Sequence, residues 1–163
     1  MNSTSYDWRN ELHESDIDAI AAMVKKVGVF SEEECAIAVE LAQDQMVYGE
    51  NSDYLFIVAS SGDHITGYTC YGRIPFTDER YDLYWIVVDP AHQKTGFATE
   101  LFTRTESALR ALGAKGLYAE TSSRAIYISA QRFYLKSGFA EEARLKDFYK
   151  DGDDKLIYSK MLT

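Results

Sequence analysis

Cysteine, histidine and proline are all scarce in this 163-residue chain, which contains two, three and two of them respectively. Neither Cys35 nor Cys70 belongs to a CxxC pair, so the sequence supports neither a disulfide framework nor a thiolate zinc site. The histidines His13, His64 and His92 lack the HxxxH or HxxE spacing of a zinc hydrolase. We therefore expect no resident metal ion.

Long apolar runs are also missing, and the longest is far too short to cross a membrane. Residues 1–7 have neither the basic start nor the apolar run of a signal peptide. We therefore expect a cytoplasmic protein with no membrane partner. No internal repeat or linker-like stretch interrupts the sequence, which predicts a single domain over residues 1–163.

Basic residues are fewer than acidic ones: the chain has 17 basic and 26 acidic side chains, which gives a net charge of -9 at pH 7. The imbalance is local: residues 1–90 carry 5 basic and 17 acidic side chains, whereas residues 91–136 carry 7 and 3. The acidic excess would repel phosphate, so a nucleic-acid partner is not expected. The basic middle segment instead indicates a small bound anion.

The hydrophobic pattern predicts an α/β domain with a mixed central sheet flanked by helices, in the order β-α-α-β-β-β-α-β-α-β-β. Ser15 is the expected cap of the first helix, and Ser31 with Glu34 forms a capping box for the second. The two later helices are predicted over residues 93–112 and 125–136. The predicted strands are residues 6–10, 54–59, 65–73, 81–88, 116–121, 138–144 and 155–161.

The segment from Val87 to Ala98 runs from a strand through a tight turn into a helix. Gly96 and Ala98 remove side-chain bulk where the first amides of that helix point outward. These amides and the helix dipole favour a phosphate or pyrophosphate. Neither the GKS/T ending of a P-loop nor a GxGxxG motif is present, which argues against nucleoside triphosphates and dinucleotides.

A second motif contains Gly138, forty-two residues after Gly96, within the run FYLKSGF over residues 133–139. The QxxGxA loop and this run together resemble the GCN5-related N-acetyltransferase (GNAT) superfamily. The resemblance is strongest over residues 81–139, the expected acetyl-CoA core. It implies a GNAT-type fold and acetyl-CoA as cosubstrate.

Carried over by position, the resemblance implies which residues hold the cofactor. Strand backbone at Ile86, Val87 and Val88 would face the pantetheine arm, and Lys136 agrees with an anionic ligand. The residues implied to wrap the pyrophosphate are Gln93, Lys94, Thr95, Gly96, Phe97 and Ala98.

The resemblance also implies a general acid and suggests a base. Tyr134 matches the family's proton donor to the leaving thiolate; the alternative is a packed aromatic residue beside Phe133. Asp82 lies where histone-type relatives place a glutamate, and strand alternation puts it on one face with Tyr84. A merely solvated acid at the strand start is the alternative for Asp82, and Tyr84 or a water relay could serve as base instead.

The resulting hypothesis is an acetyl-CoA-dependent N-acetyltransferase in which a primary amine attacks the thioester directly. The expected acceptor is a small cationic amine. The closing acidic loop over residues 148–154 looks like the substrate-side hairpin of this family, and its acids would hold that cation or form a polar turn. The alternatives are a protein N-terminal or lysine acetyltransferase, with a peptide amine as acceptor, and a non-catalytic acyl-CoA-binding module. The oligomeric state stays open, a homodimer included.

Overall fold

The computed structural model describes residues 5–162 and has the element order that the sequence predicts. The prediction about residues 1–7 therefore falls partly outside the described part of the chain. The strands are β1 (Asp7–Arg9), β2 (Leu55–Ser61), β3 (His64–Arg73), β4 (Arg80–Val88), β5 (Gly116–Ser122), β6 (Ala140–Lys150) and β7 (Asp153–Met161). The helices are α1 (Glu14–Val27), α2 (Glu32–Tyr48), α3 (Phe97–Ala111) and α4 (Ile128–Lys136).

Hydrogen bonds join the strands into one mixed sheet in the order β1-β2-β3-β4-β5-β7-β6. β4 and β5 are parallel, whereas β1 with β2, β2 with β3, β5 with β7 and β6 with β7 are antiparallel. The predicted α/β class with a mixed sheet is confirmed.

The chain divides into two compact units, the first being Met1–Gly72 with Trp85–Ser107 and the second Arg73–Tyr84 with Ala108–Thr163. The first unit packs α1 and α2 over its strands, around a core that includes Ile20, Val24, Ala38, Phe56, Val58, Tyr68 and Val87. In the second unit the buried apolar side chains include Leu109, Leu117, Tyr134, Phe139, Leu156 and Tyr158.

The start of α1 differs from the prediction, because His13 and not Ser15 is the N-cap. Asp16 is buried, and its carboxylate accepts hydrogen bonds from the His13 amide at 2.6 Å and from Arg9 at 2.7 Å. An acid at the third helical position that reaches back to the cap amide fixes the helix start. The pair of half-buried Arg9 and buried Asp16 therefore begins the helix two residues earlier than the capping preference of Ser15 suggested.

The capping box of α2 is confirmed: Ser31 Oγ accepts from the Glu34 amide at 3.1 Å, and the Glu34 carboxylate accepts from the Ser31 amide at 2.7 Å. Gly28 ends α1 in the left-handed conformation, with φ of 78°. No helix of residues 5–162 is long and apolar enough to cross a membrane.

Candidate active site

Eight residues separate β4 from α3: Asp89, a 3-10 turn (Pro90–His92) and then a loop over residues 93–96, where the sequence analysis had placed the first turn of the helix. Asp89 ends the strand by accepting a hydrogen bond from the Ala91 amide at 2.8 Å. Lys94 and Gly96 then adopt left-handed backbone conformations, with φ of 60° and 84°. Left-handed residues cannot continue a right-handed helix, so α3 begins only at Phe97.

Side-chain hydrogen bonds brace this loop from within. Gln93 Nε2 donates to the Val88 carbonyl at 3.2 Å, and Thr95 Oγ1 donates to the His92 carbonyl at 2.7 Å. The Gln93 side chain thus shapes the loop, while the Lys94 side chain is exposed.

The start of α3 is anchored by the Phe97 side chain, which is buried against the rings of Tyr6 and Trp8 at centroid distances of 4.7 and 5.8 Å. Gly67 on β3 makes room for it, because a Cβ there would lie 2.6 Å from Phe97 Cε1 and 2.9 Å from the Val87 carbonyl oxygen. Phe97 can therefore offer a ligand only its backbone, as its ring belongs to the core.

The amides at this helix start fit a pyrophosphate. Glu100 is the first α3 residue with a backbone bond to the loop, donating to the Gly96 carbonyl at 3.1 Å. The amides before it, including those of Phe97 and Ala98, have no carbonyl one turn earlier in the helix to bond. A Cβ built on Gly96 would meet nothing within 4 Å, so there is open space beside them.

The other residues implied to bind the cofactor lie as follows. Val87 and Val88 are buried at the end of β4, and Ile86 is half-buried. Lys136 is exposed in the last turn of α4. Arg104, another cation of the basic segment, is paired with Glu100 at 3.1 Å and lies 4.1 Å from the Trp8 ring centroid, which gives it a structural role.

Tyr134 lies on α4 in the interior of the second unit. Its ring packs against Phe139 and Tyr158, with centroids 5.3 and 5.4 Å away. Burial, and to a lesser extent the neighbouring Tyr158, raises the pKa of Tyr134 to about 12. The phenol is therefore protonated throughout the physiological pH range and keeps a proton that it can donate.

A cleft forms in the second unit where the pairing of two parallel strands stops. β4 and β5 pair from Arg80↔Gly116 to Asp82↔Tyr118, although both strands run on beyond that point. Beyond the last pair lies a cleft of about 230 Å³ lined by Asp82, Leu83, Tyr84, Ala119, Glu120 and Tyr149.

Asp82 and Glu120 place two carboxylates in this cleft. Burial raises the pKa of Asp82, the negative charge of Glu120 raises it further, and the positive charge of Lys155 partly opposes both. Glu120 is itself held by Lys155, whose Nζ lies 2.6 Å from its Oε2. A carboxylate whose pKa is raised by such surroundings is suited to accept a proton near neutral pH.

The sequence analysis missed Glu120 and Tyr149. Glu120 interrupts an otherwise buried strand, and it lies two residues beyond Tyr118, the parallel partner of Asp82. The parallel register of β4 and β5 is what places Glu120 near Asp82, and the sequence alone does not predict that register. Tyr149 was placed in an acidic loop and not in a strand facing the cleft.

The acidic loop lies mostly within the strands of a hairpin, because β6 extends to Lys150 and β7 begins at Asp153, which leaves a two-residue turn. Two of its acids are engaged within the hairpin region. Asp153 is buried and bonded to Ser122 Oγ at 2.5 Å, and Asp154 pairs with Arg144 at 3.2 Å. These carboxylates stabilise the hairpin, so the acidic side of the site is the pair Asp82 and Glu120.

Within residues 5–162, no group of three or more histidine, cysteine, aspartate or glutamate side chains is placed to hold a metal ion.

Comparison with known proteins agrees with this architecture. The crystal structure of a GNAT-family protein from Desulfovibrio desulfuricans is 36% identical in sequence, covers 98% of this chain and 100% of its own, and has a TM-score of 0.95. The ribosomal-protein-S18-alanine N-acetyltransferase of Escherichia coli is 20% identical over 98% of this chain and 95% of its own, with a TM-score of 0.75.

The PaiA N-acetyltransferase of Thermoplasma acidophilum, crystallised in complex with coenzyme A, is 20% identical over 96% of this chain and 99% of its own, with a TM-score of 0.73. No curated protein sequence matches the chain. A family model, the acetyltransferase (GNAT) family, matches residues 17–139. With that match covering most of the sequence, and a 36% identical relative along its length, the chain belongs to the GNAT family of acetyltransferases.

Proposed function

We propose that the protein transfers the acetyl group of acetyl-CoA directly to the nitrogen of a small cationic primary amine. The observation that carries this proposal is the cleft beyond the last β4–β5 pair, where Asp82 has a raised pKa beside Glu120. Such a site can both attract an ammonium group and take its proton.

The cofactor side of the proposal is supported by the loop before α3. Its left-handed residues Lys94 and Gly96, the outward amides of Phe97 and Ala98, and the open space beside Gly96 suit a pyrophosphate. Ile86, Val87 and Val88 would offer backbone to the pantetheine arm, and Lys136 would add positive charge. When bound, acetyl-CoA supplies the activated thioester.

The acceptor side must remove a proton before the amine can attack. An alkylammonium with a pKa of about 10.4 needs about 4–5 kcal/mol to lose its proton at pH 7. Asp82 would accept this proton at a carboxylate oxygen, and its raised pKa brings its proton affinity closer to that of the amine. Tyr84, which lines the same cleft, or a water held there is the alternative base.

The leaving side would be served by Tyr134. As the N–C bond forms and the C–S bond breaks, the sulfur gains an electron pair and finally a proton, while the nitrogen gives up its second proton. Because the pKa of Tyr134 is about 12 and that of a free thiol is about 8.5, full transfer from the phenol alone is uphill. We therefore infer that Tyr134 Oη hydrogen-bonds the departing thiolate and passes its proton to the sulfur only as the phenol oxygen takes up the second proton of the nitrogen, directly or through a water.

The acceptor class is tested by a screen of thiol release from acetyl-CoA. The panel contains small monoamines, polyamines, peptides with free N-termini and peptides with a single lysine. We expect the small amines to be turned over fastest. Faster release with a peptide would move the assignment to a protein N-terminal or lysine acetyltransferase.

A thermal unfolding scan with acetyl-CoA completes the test, because a ligand that binds only the folded state raises Tm. A raised Tm without amine-dependent thiol release would favour a non-catalytic acyl-CoA-binding module. An unchanged Tm at millimolar acetyl-CoA would contradict the cofactor assignment itself. A cytoplasmic location stays a prediction from the sequence.

A further inference from the structure

The β6–β7 hairpin contains an irregularity that the acetyl-transfer chemistry above does not use. Regular pairing joins Leu145 to Lys155 and resumes where Lys150 pairs with Asp153. Between these pairs, four residues of β6 face a single residue of β7, Asp154. At the centre of this bulge Asp147 adopts a left-handed conformation with φ of 52°.

The bulge is held by a closed set of hydrogen bonds. The Asp154 carboxylate accepts from the Asp147 amide at 2.9 Å, and the Asp147 carboxylate accepts from the Gly152 amide at 2.7 Å. Asp154 is itself fixed to the end of β5, because its amide donates to Ser123 Oγ at 2.8 Å and its carbonyl accepts from the Ser123 amide at 2.9 Å. Arg144 neutralises its charge at 3.2 Å. A non-glycine residue in this conformation persists only when its surroundings determine it, as they do here.

Within the bulge, two consecutive aromatic side chains, Phe148 and Tyr149, contact different parts of the cleft region. Phe148 lies over Lys155, with Nζ 4.7 Å from the ring centroid. Tyr149, whose ring is perpendicular to that of Phe148, lines the cleft that contains Asp82 and Glu120. The bulge thus brings an aromatic wall to the two carboxylates, and Phe148 helps to hold the lysine that pairs with one of them.

The charges around the cleft add up to one unbalanced negative charge. Asp82 and Glu120 are acidic, and Lys155 is bound to Glu120 at 2.6 Å. One ammonium group balances this arrangement, whereas the second cation of a polyamine would find no counterpart among the lining side chains. Of the other lining residues, Leu83 and Ala119 have buried side chains, so the aromatic surface of the cleft comes from Tyr84 and Tyr149.

We propose that Tyr149 is a specificity-determining residue and that the acceptor is a primary amine with one positive charge and an aromatic body. The ammonium lies at Asp82 and the aromatic ring packs against Tyr149, which is 49% exposed. Aromatic side chains favour ring partners at such sites. A cleft of about 230 Å³ admits one ring on a short carbon arm. This inference rests on the proposed acetyl transfer to amines.

The test compares kcat/KM for 2-phenylethylamine, hexylamine and spermidine, followed by thiol release. The wild-type protein should prefer 2-phenylethylamine to both of the others. Tyr149→Ala should lower kcat/KM for 2-phenylethylamine about tenfold, mainly through KM, and leave hexylamine nearly unchanged. Tyr149→Phe should keep the wild-type preference, because it keeps the ring. Tyr48→Ala, the same change at an exposed position of α2, is the matched control and should change nothing.

A second variant tests the bulge as a positioning device. Asp154→Asn weakens the bonds to Asp147 and Arg144 without touching the cleft lining, so it should reduce the preference for 2-phenylethylamine over hexylamine. Asp151→Asn removes an exposed acid of the neighbouring turn and should leave that preference intact. A thermal unfolding scan of each variant verifies that it is folded.

The outcomes separate this inference from the proposed function. Amine-dependent turnover with the same ratio of 2-phenylethylamine to hexylamine in wild type and Tyr149→Ala would overturn the role of Tyr149 and leave acetyl transfer standing. A preference for spermidine would overturn the single-charge argument. Absence of turnover with every amine would overturn the inference together with the proposed function.

Discussion

At the scale of single residues, the proposed chemistry depends on neighbours that set the proton affinity of Asp82 and Tyr134. Burial and the negative charge of Glu120 raise the pKa of Asp82, and the positive charge of Lys155 partly opposes this rise. Tyr134 is raised to about 12 by burial. The raised pKa makes the Asp82 carboxylate a stronger base and keeps Tyr134 protonated, as the proposed base and donor require. The sequence analysis identified both residues, but their surroundings depend on strand pairing that it could not supply.

The pKa of Asp82 predicts the acid limb of the pH–rate profile. If Asp82 is the base, kcat/KM should fall as the pH drops through its raised pKa, and Asp82→Asn should remove this limb and cut the rate about 10²-fold. Glu120→Gln removes a negative neighbour, so it should lower the pKa of Asp82 and move the limb to lower pH. Asp63→Asn, at an exposed turn, is the control. An acid limb that persists in Asp82→Asn would assign the base to Tyr84 or to a water.

Tyr134→Phe should reduce kcat by about 10²-fold and leave acetyl-CoA affinity nearly unchanged, because the ring is retained and only the donor is lost. Tyr68→Phe is the matched control, since it also removes a buried phenol hydroxyl. Tyr68 Oη has no hydrogen-bond partner among the described residues, so its removal should be neutral or raise the free energy of unfolding by about 1 kcal/mol. Steady-state kinetics and acetyl-CoA titration distinguish the two variants. Unchanged kcat in Tyr134→Phe would refute its role as donor.

At the scale of elements, the proposed cofactor loop and the proposed acceptor cleft each lie where a regular element stops. α3 begins late because Lys94 and Gly96 are left-handed, and the cleft begins where the β4–β5 ladder ends after Asp82. The sequence predicted the order of all these elements, since hydrophobic periodicity and turn residues are local properties. It misplaced the start of α3 and the hairpin, because a left-handed lysine and a bulge held by Asp154 depend on contacts across the fold.

Gly67 gives a test of how the start of α3 is positioned. Gly67→Ala should lower the free energy of unfolding by about 1–3 kcal/mol, because its Cβ would lie 2.6 Å from Phe97 Cε1. It should also weaken acetyl-CoA binding, measured by calorimetry, as Phe97 carries the first helical amide. The double variant Gly67→Ala with Phe97→Leu frees space at the ring and should recover part of the binding loss. Binding that stays at the wild-type level in the destabilised Gly67→Ala protein would mean that the helix start does not hold the cofactor.

At the scale of the whole molecule, the net charge of -9 is the sum of a strongly acidic segment and a basic segment of the sequence. The basic segment of residues 91–136 includes the loop and helix start proposed for the pyrophosphate. The long acidic segment, residues 1–90, ends with β4 and includes Asp82. The GNAT family was identifiable from two motifs because their residues are adjacent in sequence. The proposed acceptor cleft was not, because Asp82, Glu120 and Tyr149 come from three separate strands.

The most direct test of this account follows both products of one turnover. Enzyme saturated with acetyl-CoA is mixed with 2-phenylethylamine, and free coenzyme A and the acetylated amine are quantified together over time. Direct transfer predicts equal amounts of the two products, formed only when the amine is present and strongly slowed in Asp82→Asn. Coenzyme A released without acetylated amine, or no release despite bound acetyl-CoA, would contradict it.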